Sequence, residues 1–334
     1  KNYFILMGPY LSTPDKTKHS ADGSGAKLRF GATGMQGWRN TMEDSHISEV
    51  LDDTPGSELS IFGVFDGHGG NQVAEWIRDH YLKELLKLKS YKEGDYGLAL
   101  KESFIKVDEL LQTPMVKKEL EKYSNEKGEE GGMGGIAGFT MGQDQDIAKS
   151  VGCTACVCII DRDTVICANA GDSRAVLSKR GVAVEMSYDH KPENAEEKDR
   201  IVKAGGFVEE NRVKGMLNLS RALGDLEYKL DPELAVEDQM ITCVPDIKIE
   251  KIDKNTEFLI VACDGIWDCL SNQEAVDYVK EQATILKKKS GSGFKLSFII
   301  ERMFEKIIAE DIAASGGLGC DNMTCSVISI NEKI

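Results

Sequence analysis

Short, nearly continuous apolar runs, broken by Gly, Asp and Asn, alternate along the chain with stretches where apolar residues return at helical spacing. The runs "LSIFGVF" (59–65) and "TEFLIVACDG" (256–265) read as buried strands, and residues 28–35 and 45–51 as shorter ones. From Val151 the pattern becomes "VGCTACVCII", a turn at "DRDT", then "VICANAG", "SRAVLS" and "VAVEMS", a succession typical of an antiparallel meander. Val73, Trp76, Ile77, Tyr81 and Leu85 form a helical stripe beginning near Gly70, and Phe104, Val107 and Leu111 mark a second helix. Asn194 as cap, Glu197 three residues on and a Gly205–Gly206 stop frame another helix. A Ser271/Glu274 capping box opens the next one. Ile300, Met303, Phe304, Ile307 and Ile308 line a last amphipathic helix, and "MTCSVISI" closes a sheet.

Strands and helices are grouped rather than strictly alternating, so the fold class is α+β with mostly antiparallel sheets. Residues 1–27 read as an N-terminal extension and 28–334 as one domain, with a lobe or flap at about 190–245 whose part from 207 is irregular. The segment 124–150 reads as an insertion. Within it "GEEGGMGGIAGFTMG" (128–142) places seven glycines in fifteen residues, too many to hold a helix or strand. It lacks the closing Gly-Lys-Ser/Thr of a phosphate-binding loop.

The 334 residues suit one large or two medium domains, and the net charge of −15, from 41 basic and 56 acidic residues, argues against general nucleic-acid binding. Nine cysteines are scattered, and no secretory leader is read ahead of them. Cys153 and Cys156 make one C-x-x-C pair, but no second pair follows at zinc spacing, so buried thiols in a reducing cytoplasm or nucleus are expected. No apolar run reaches the ~18 residues that span a membrane. The six residues before Met7 are set aside from fold reasoning. With Met7 as a native start, "MGPYLS" would match the pattern for acylation of Gly8, and one such chain gives weak, reversible membrane association.

The candidate chemistry lies in acids at the ends of apolar runs. Asp66 follows "SIFGVF", Asp264 follows "FLIVAC", Asp172 follows "VICANAG" and Asp321 precedes "NMTCSVISI". Asp44, with Glu43 beside it, is a fifth. Each taken alone reads as a turn residue. Taken together, Asp66 and Asp264 both end strongly apolar strands in "DG", and adjacent strand ends would bring them together. At ~5 Å and an effective dielectric near 20, two such anions repel by roughly 3 kcal/mol. Solvent, protonation or a cation must relieve that repulsion. Carboxylates without thiols or clustered histidines favour a hard cation, Mg²⁺ or Mn²⁺.

The motifs "GWRNTMEDSH" (37–46), "VFDGHGG" (64–70), "ANAGDSRAVL" (168–177), "LSRALGD" (219–225), "ACDGIWD" (262–268) and "CDNMT" (320–324) occur in that order. From about Leu28 to Ile330 the chain resembles the metal-dependent Ser/Thr protein phosphatases of the 2C type. That resemblance implies a central β-sandwich of two antiparallel sheets flanked by α-helices, in four layers. It implies two cations, Mg²⁺ or Mn²⁺, with Asp66 bridging them, the Gly67 carbonyl on one, and Asp264 and Asp321 on the other. Glu43, Asp44 and Asp268 would act more distantly, through water, and Asp172 at a third, weaker position. Water activated by the metal pair would attack phosphorus in line, His68 would protonate the leaving group, and Arg39 would grip the phosphate. Arg39 could instead pair with nearby acids, and Arg221 would bind substrate or brace the flap. Phosphorylated proteins are the implied substrates, and a monomer is expected. A pseudophosphatase that only binds phosphoproteins is the alternative; a calcium-binding regulator lacks its D-x-D-x-D-G loop. The glycine-rich insertion is expected to shape substrate or partner choice, not chemistry.

Overall fold

A computed structural model describes residues 10–25, 27–51, 59–125, 146–291, 293–331 and 333–334. Gly8 and positions 126–145 of the glycine-rich stretch lie outside the described residues. The chain divides into two units, one of Lys1–Asp66, Ala155–Asp189 and Asp246–Ile334, the other of Gly67–Thr154 and His190–Pro245.

The first unit is a β-sandwich. One sheet has six strands in the order Tyr10–Ser24, Leu28–Arg39, Met323–Ile330, Thr256–Ala262, Arg174–Lys179 and Val182–Glu185. The other has five, in the order Asp246–Lys251, Thr164–Ala170, Ala155–Asp161, Leu59–Phe65 and Ser45–Leu51. All of these pairings are antiparallel. Phe30, Leu177, Val261 and Ile328 from the first sheet pack with Phe62, Val64, Cys158 and Val165 from the second. The ring of Phe30 meets that of Phe62 edge-on at 5.3 Å. On the other face of the six-stranded sheet, Val276, Val279, Ile300, Met303 and Phe304 of helices Asn272–Ser290 and Ser297–Ile307 cover Met35, Ile260 and Val327. Leu59–Phe65 and Met323–Ile330 are buried at every position. This is why Leu59–Phe65 reads as a nearly continuous apolar run instead of alternating, while Met323–Ile330 also buries Thr324, Ser326 and Ser329. Ser271 and Glu274 form the reciprocal capping box that their spacing predicts.

The sequence pattern starts the sheet at residue 28, whereas Tyr10–Ser24 adds a strand outside it. That stretch is mostly exposed, contains Pro14 and carries two register shifts, all compatible with an edge strand. Its order comes from backbone pairing to Leu28–Arg39, which leaves no apolar signature to read.

In the second unit the two helical stripes meet. Tyr81 of helix Gln72–Lys87 stands edge-on to Phe104 of helix Tyr96–Leu111 at 6.0 Å, and its hydroxyl lies 2.7 Å from Ser103. A third helix, Pro114–Asn125, has Val116 and Leu120 buried among its described side chains, a stripe too thin to recognise in advance. Helix Ala195–Lys203 ends as its glycines predict: the Gly205 and Gly206 amides donate to the Val202 and Ile201 carbonyls, with Gly205 at φ 79°. Beyond it, Val213, Ala222, Tyr228, Met240 and Ile241 build a small apolar cluster with Ile201. A three-stranded sheet joins Leu223–Gly224, Gly152–Cys153 and Gly67–His68.

Candidate metal centre

Strand register gathers the acidic loops. In the five-stranded sheet Ser45 lies opposite Phe65, Val64 opposite Cys156, and Ala155 opposite Ala170, so Asp44, Asp66 and Asp172 leave one end of that sheet. In the six-stranded sheet Ala262 lies opposite both Cys325 and Arg174, which puts Asp264 and Asp321 at one end as well. Oxygens of Asp66, Asp172 and Asp264 fall within 4.8 Å of one another. Asp66 and Asp264 therefore meet across the sandwich and not, as the sequence reading has it, from adjacent strands; their strands belong to opposite sheets.

A second close group, also within 4.8 Å, joins Asp44, Asp66 and the thiol of Cys263. The expectation of carboxylates without thiols thus misses Cys263, whose only sequence signal was its place beside Asp264. Asp321 belongs to neither close group among the described residues. It accepts a hydrogen bond from Arg39 Nη2 at 2.5 Å, while its charge still acts on Asp44, Asp66 and Asp264. Asp172 sits in the tight group, and Asp321 pairs with a guanidinium. Asp268 acts on Asp264 through its charge. Glu43 lies outside both groups; its carboxylate accepts from Thr41 at 2.8 Å. Gly67 and His68 belong to the second unit.

Two further residues hold the loops in place. Asn322 donates to the carbonyls of Gln36 and Thr41 and accepts from the Glu43 amide, all within 3.0 Å. It ties the loop bearing Arg39, Glu43 and Asp44 to the start of Met323–Ile330. Gly265 explains the "DG" after Thr256–Ala262, because a Cβ there would lie 2.0 Å from the Asn322 carbonyl oxygen. In the second unit Arg221 makes the bracing contacts that were one of its two expected roles. Its Nε and Nη2 both donate to Glu197 Oε1, at 3.0 and 2.7 Å, and Arg200 Nη1 donates to Oε2 at 2.7 Å. Burial alone would raise the Glu197 carboxyl, but the Arg221 hydrogen bond and the two guanidinium charges hold it at about 2. Glu197 is thus engaged by arginines and does not complete a capping box.

Burial, with the charge of Asp321 adding to it, lifts the Asp44 carboxyl to about 7. Asp66 is held well above the usual carboxylate range by burial and then by Asp264, Asp44, Asp172 and Asp321; Asp264 by burial and then by Asp172, Asp321 and Asp268. Among the described residues Asp44 Oδ2 is buried with no hydrogen-bond partner. A set of crowded, dehydrated oxygen donors with one orphaned atom fits a hard divalent cation. Because these folded-state values lie above 3.8, the folded protein binds more protons than the unfolded chain between about pH 4 and 7, and stability falls as pH rises through that window. Glu197, depressed to about 2 from 4.5, opposes this trend only at the acid end of the window, where the unfolded chain still protonates that residue. The metal-free protein should therefore melt at pH 5.5 roughly 5 °C above its value at pH 8. Saturating Mn²⁺ should reverse that order, and Asp44→Asn should flatten the metal-free profile. Thermal melts at both pH values check this.

The family model described as Protein phosphatase 2C matches residues 28–313. The chain belongs to the protein phosphatase 2C family. It is 44% identical over 328 residues to a probable protein phosphatase 2C of Paramecium tetraurelia, covering 98% of this chain and all of that one. To a probable protein phosphatase 2C of Oryza sativa subsp. japonica it is 40% identical, covering 98% of this chain and 92% of that one. A solved serine-threonine phosphatase 2C of Toxoplasma gondii shares the fold at TM-score 0.70 and 18% identity, covering 94% of this chain and 99% of that one. As a protein phosphatase 2C the chain is a metal-dependent protein-serine/threonine phosphatase, so phosphoproteins are its substrate class. No helix among the described residues is long and apolar enough to cross a membrane.

Proposed function

We propose that the chain hydrolyses phosphoserine and phosphothreonine in proteins with two hard divalent cations, Mg²⁺ or Mn²⁺, held around Asp66. The observation that carries this is the convergence of Asp66, Asp172 and Asp264 within 4.8 Å. Asp66 and Asp264 would hold the cations with the Gly67 carbonyl and Asp321, while Asp172 would share the group or serve a third ion. Glu43, Asp44 and Asp268 would orient solvent. Bound there, the cations supply Lewis acidity and a solvent nucleophile at neutral pH. Arg39 would exchange Asp321 for the substrate phosphate. Its side chain is 41% exposed, so the guanidinium can be reached, and its planar fork suits two phosphate oxygens. His68, two residues after Asp66 in the chain, would pass a proton to the departing seryl or threonyl oxygen.

The test is hydrolysis of a phosphothreonine peptide after metal removal with EDTA and dialysis. Turnover should fall at least 100-fold and return on adding Mn²⁺ or Mg²⁺. Phosphopeptide binding with no metal-dependent release of phosphate would overturn the enzymatic reading in favour of a binding role.

A further inference from the structure

The catalytic reading leaves Asp225 unused, yet His68 is fastened to it. His68 Nε2 lies 2.7 Å from Asp225 Oδ2, and the Asp225 side chain is 3% exposed against 24% for His68. The contact spans 157 residues of sequence, so it is built by the fold. In the small three-stranded sheet, His68 stands opposite Gly152 and Gly152 opposite Gly224, the residue before Asp225. Gly152 leaves room for the carboxylate, since a Cβ there would sit 2.5 Å from Asp225 Oδ2. The Asp225 backbone is left-handed, at φ 50° and ψ 40°, a conformation Asp and Asn tolerate better than most residues. Its amide donates to the Val151 carbonyl at 3.2 Å. One residue earlier, the Gly224 amide donates to Asp108 Oδ1 at 2.8 Å, and Lys229 Nζ donates to the same oxygen at 2.7 Å. Strand pairing, a buried ion pair and a missing side chain together fix where this carboxylate points.

We propose that Asp225 is the positioning residue of His68, taking the Nε2 hydrogen and setting the plane and angle of the ring for proton delivery. This rests on the reading of His68 as the general acid. In the step concerned, a solvent oxygen bonds to phosphorus as the phosphorus–oxygen bond to the leaving group breaks. The proton on Nδ1 of the doubly protonated ring passes to the departing alkoxide, which leaves a neutral imidazole whose Nε2 hydrogen stays hydrogen-bonded to Asp225.

A leaving group that departs as a stable anion needs little help from an acid, whereas a seryl or threonyl alkoxide needs it most. Turnover of a phosphothreonine peptide and of p-nitrophenyl phosphate therefore separates proton delivery from general damage. His68→Ala should lose about 10²-fold on the peptide, and at least tenfold less than that on the aryl ester. Asp225→Asn keeps the left-handed backbone and the shape but removes the charged acceptor. It should show the same split with a peptide loss of tenfold or more, and combined with His68→Ala it should add no further loss. If His68→Ala slows both substrates equally, the general-acid reading fails. If His68→Ala splits them and Asp225→Asn slows both equally or neither, Asp225 does not position the ring. On the unaltered protein, imidazole ¹⁵N NMR should find a proton resident on Nε2, and an unprotonated Nε2 would overturn the proposal without any variant.

Discussion

Asp264→Asn should lower metal-dependent turnover by about 10³-fold, with equal loss on p-nitrophenyl phosphate and on a phosphothreonine peptide. The substitution preserves shape and removes one of three charges lying within 4.8 Å. A divalent cation supplies several kcal/mol of charge stabilisation in phosphoryl transfer, and about 4 kcal/mol corresponds to three decades of rate. The defect lies in metal binding and not in proton delivery to the leaving group, so both substrates should lose alike. That separates it from the split expected at His68 and Asp225. Raising Mn²⁺ into the millimolar range should recover part of the activity. The metal-free variant should also melt above the metal-free parent, because burial and neighbouring charges push the Asp264 carboxyl up and the amide relieves both. A variant that turns over like the parent, at any metal concentration, would remove Asp264 from the site.

Lys229→Met should destabilise the protein by about 3–5 kcal/mol, the usual consequence of stranding one member of a buried ion pair. The Lys229 and Asp108 side chains are each 5% exposed. Lys229 Nζ lies 2.7 Å from Asp108 Oδ1 and 2.9 Å from the Ala222 carbonyl. Without it Asp108 keeps the Gly224 amide but loses its countercharge. The melting temperature should drop by roughly 6 °C or more. Lys229→Met with Asp108→Leu should recover much of the loss, since the cost belongs to the stranded carboxylate rather than to the missing attraction. Urea and thermal unfolding of the single and double variants decide it, and a single variant within 1 °C of the parent would show the pair to be dispensable.

The acids at strand ends were legible because buried strands announce themselves by continuous apolar runs, and Asp66 and Asp264 stand where such runs stop. Which strand pairs with which was not, since pairing depends on contacts far apart in sequence. Asp66 and Asp264 accordingly meet from opposite sheets. Cys263 went unnoticed because a lone cysteine in an apolar run looks like any core residue. Asp225 and Glu197 escaped for a related reason: a buried carboxylate declares itself only through its partner, and those partners lie 157 residues away for Asp225 and 24 away for the Arg221–Glu197 pair. The strand Tyr10–Ser24 shows the converse, order conferred by a neighbour's backbone on residues with little to bury.

That outer strand bears on how the protein can be shortened. Its pairing occupies the edge amides and carbonyls of Leu28–Arg39. Trimming to the family-matched span of 28–313 would strip this cover and also delete Met323–Ile330, which pairs with Leu28–Arg39 on one side and Thr256–Ala262 on the other. Two long, apolar edges would then face solvent, a template for self-association into aggregates. The span that recognises the family is thus shorter than the span needed for a soluble fold, and expression boundaries belong outside Tyr10 and Ile330.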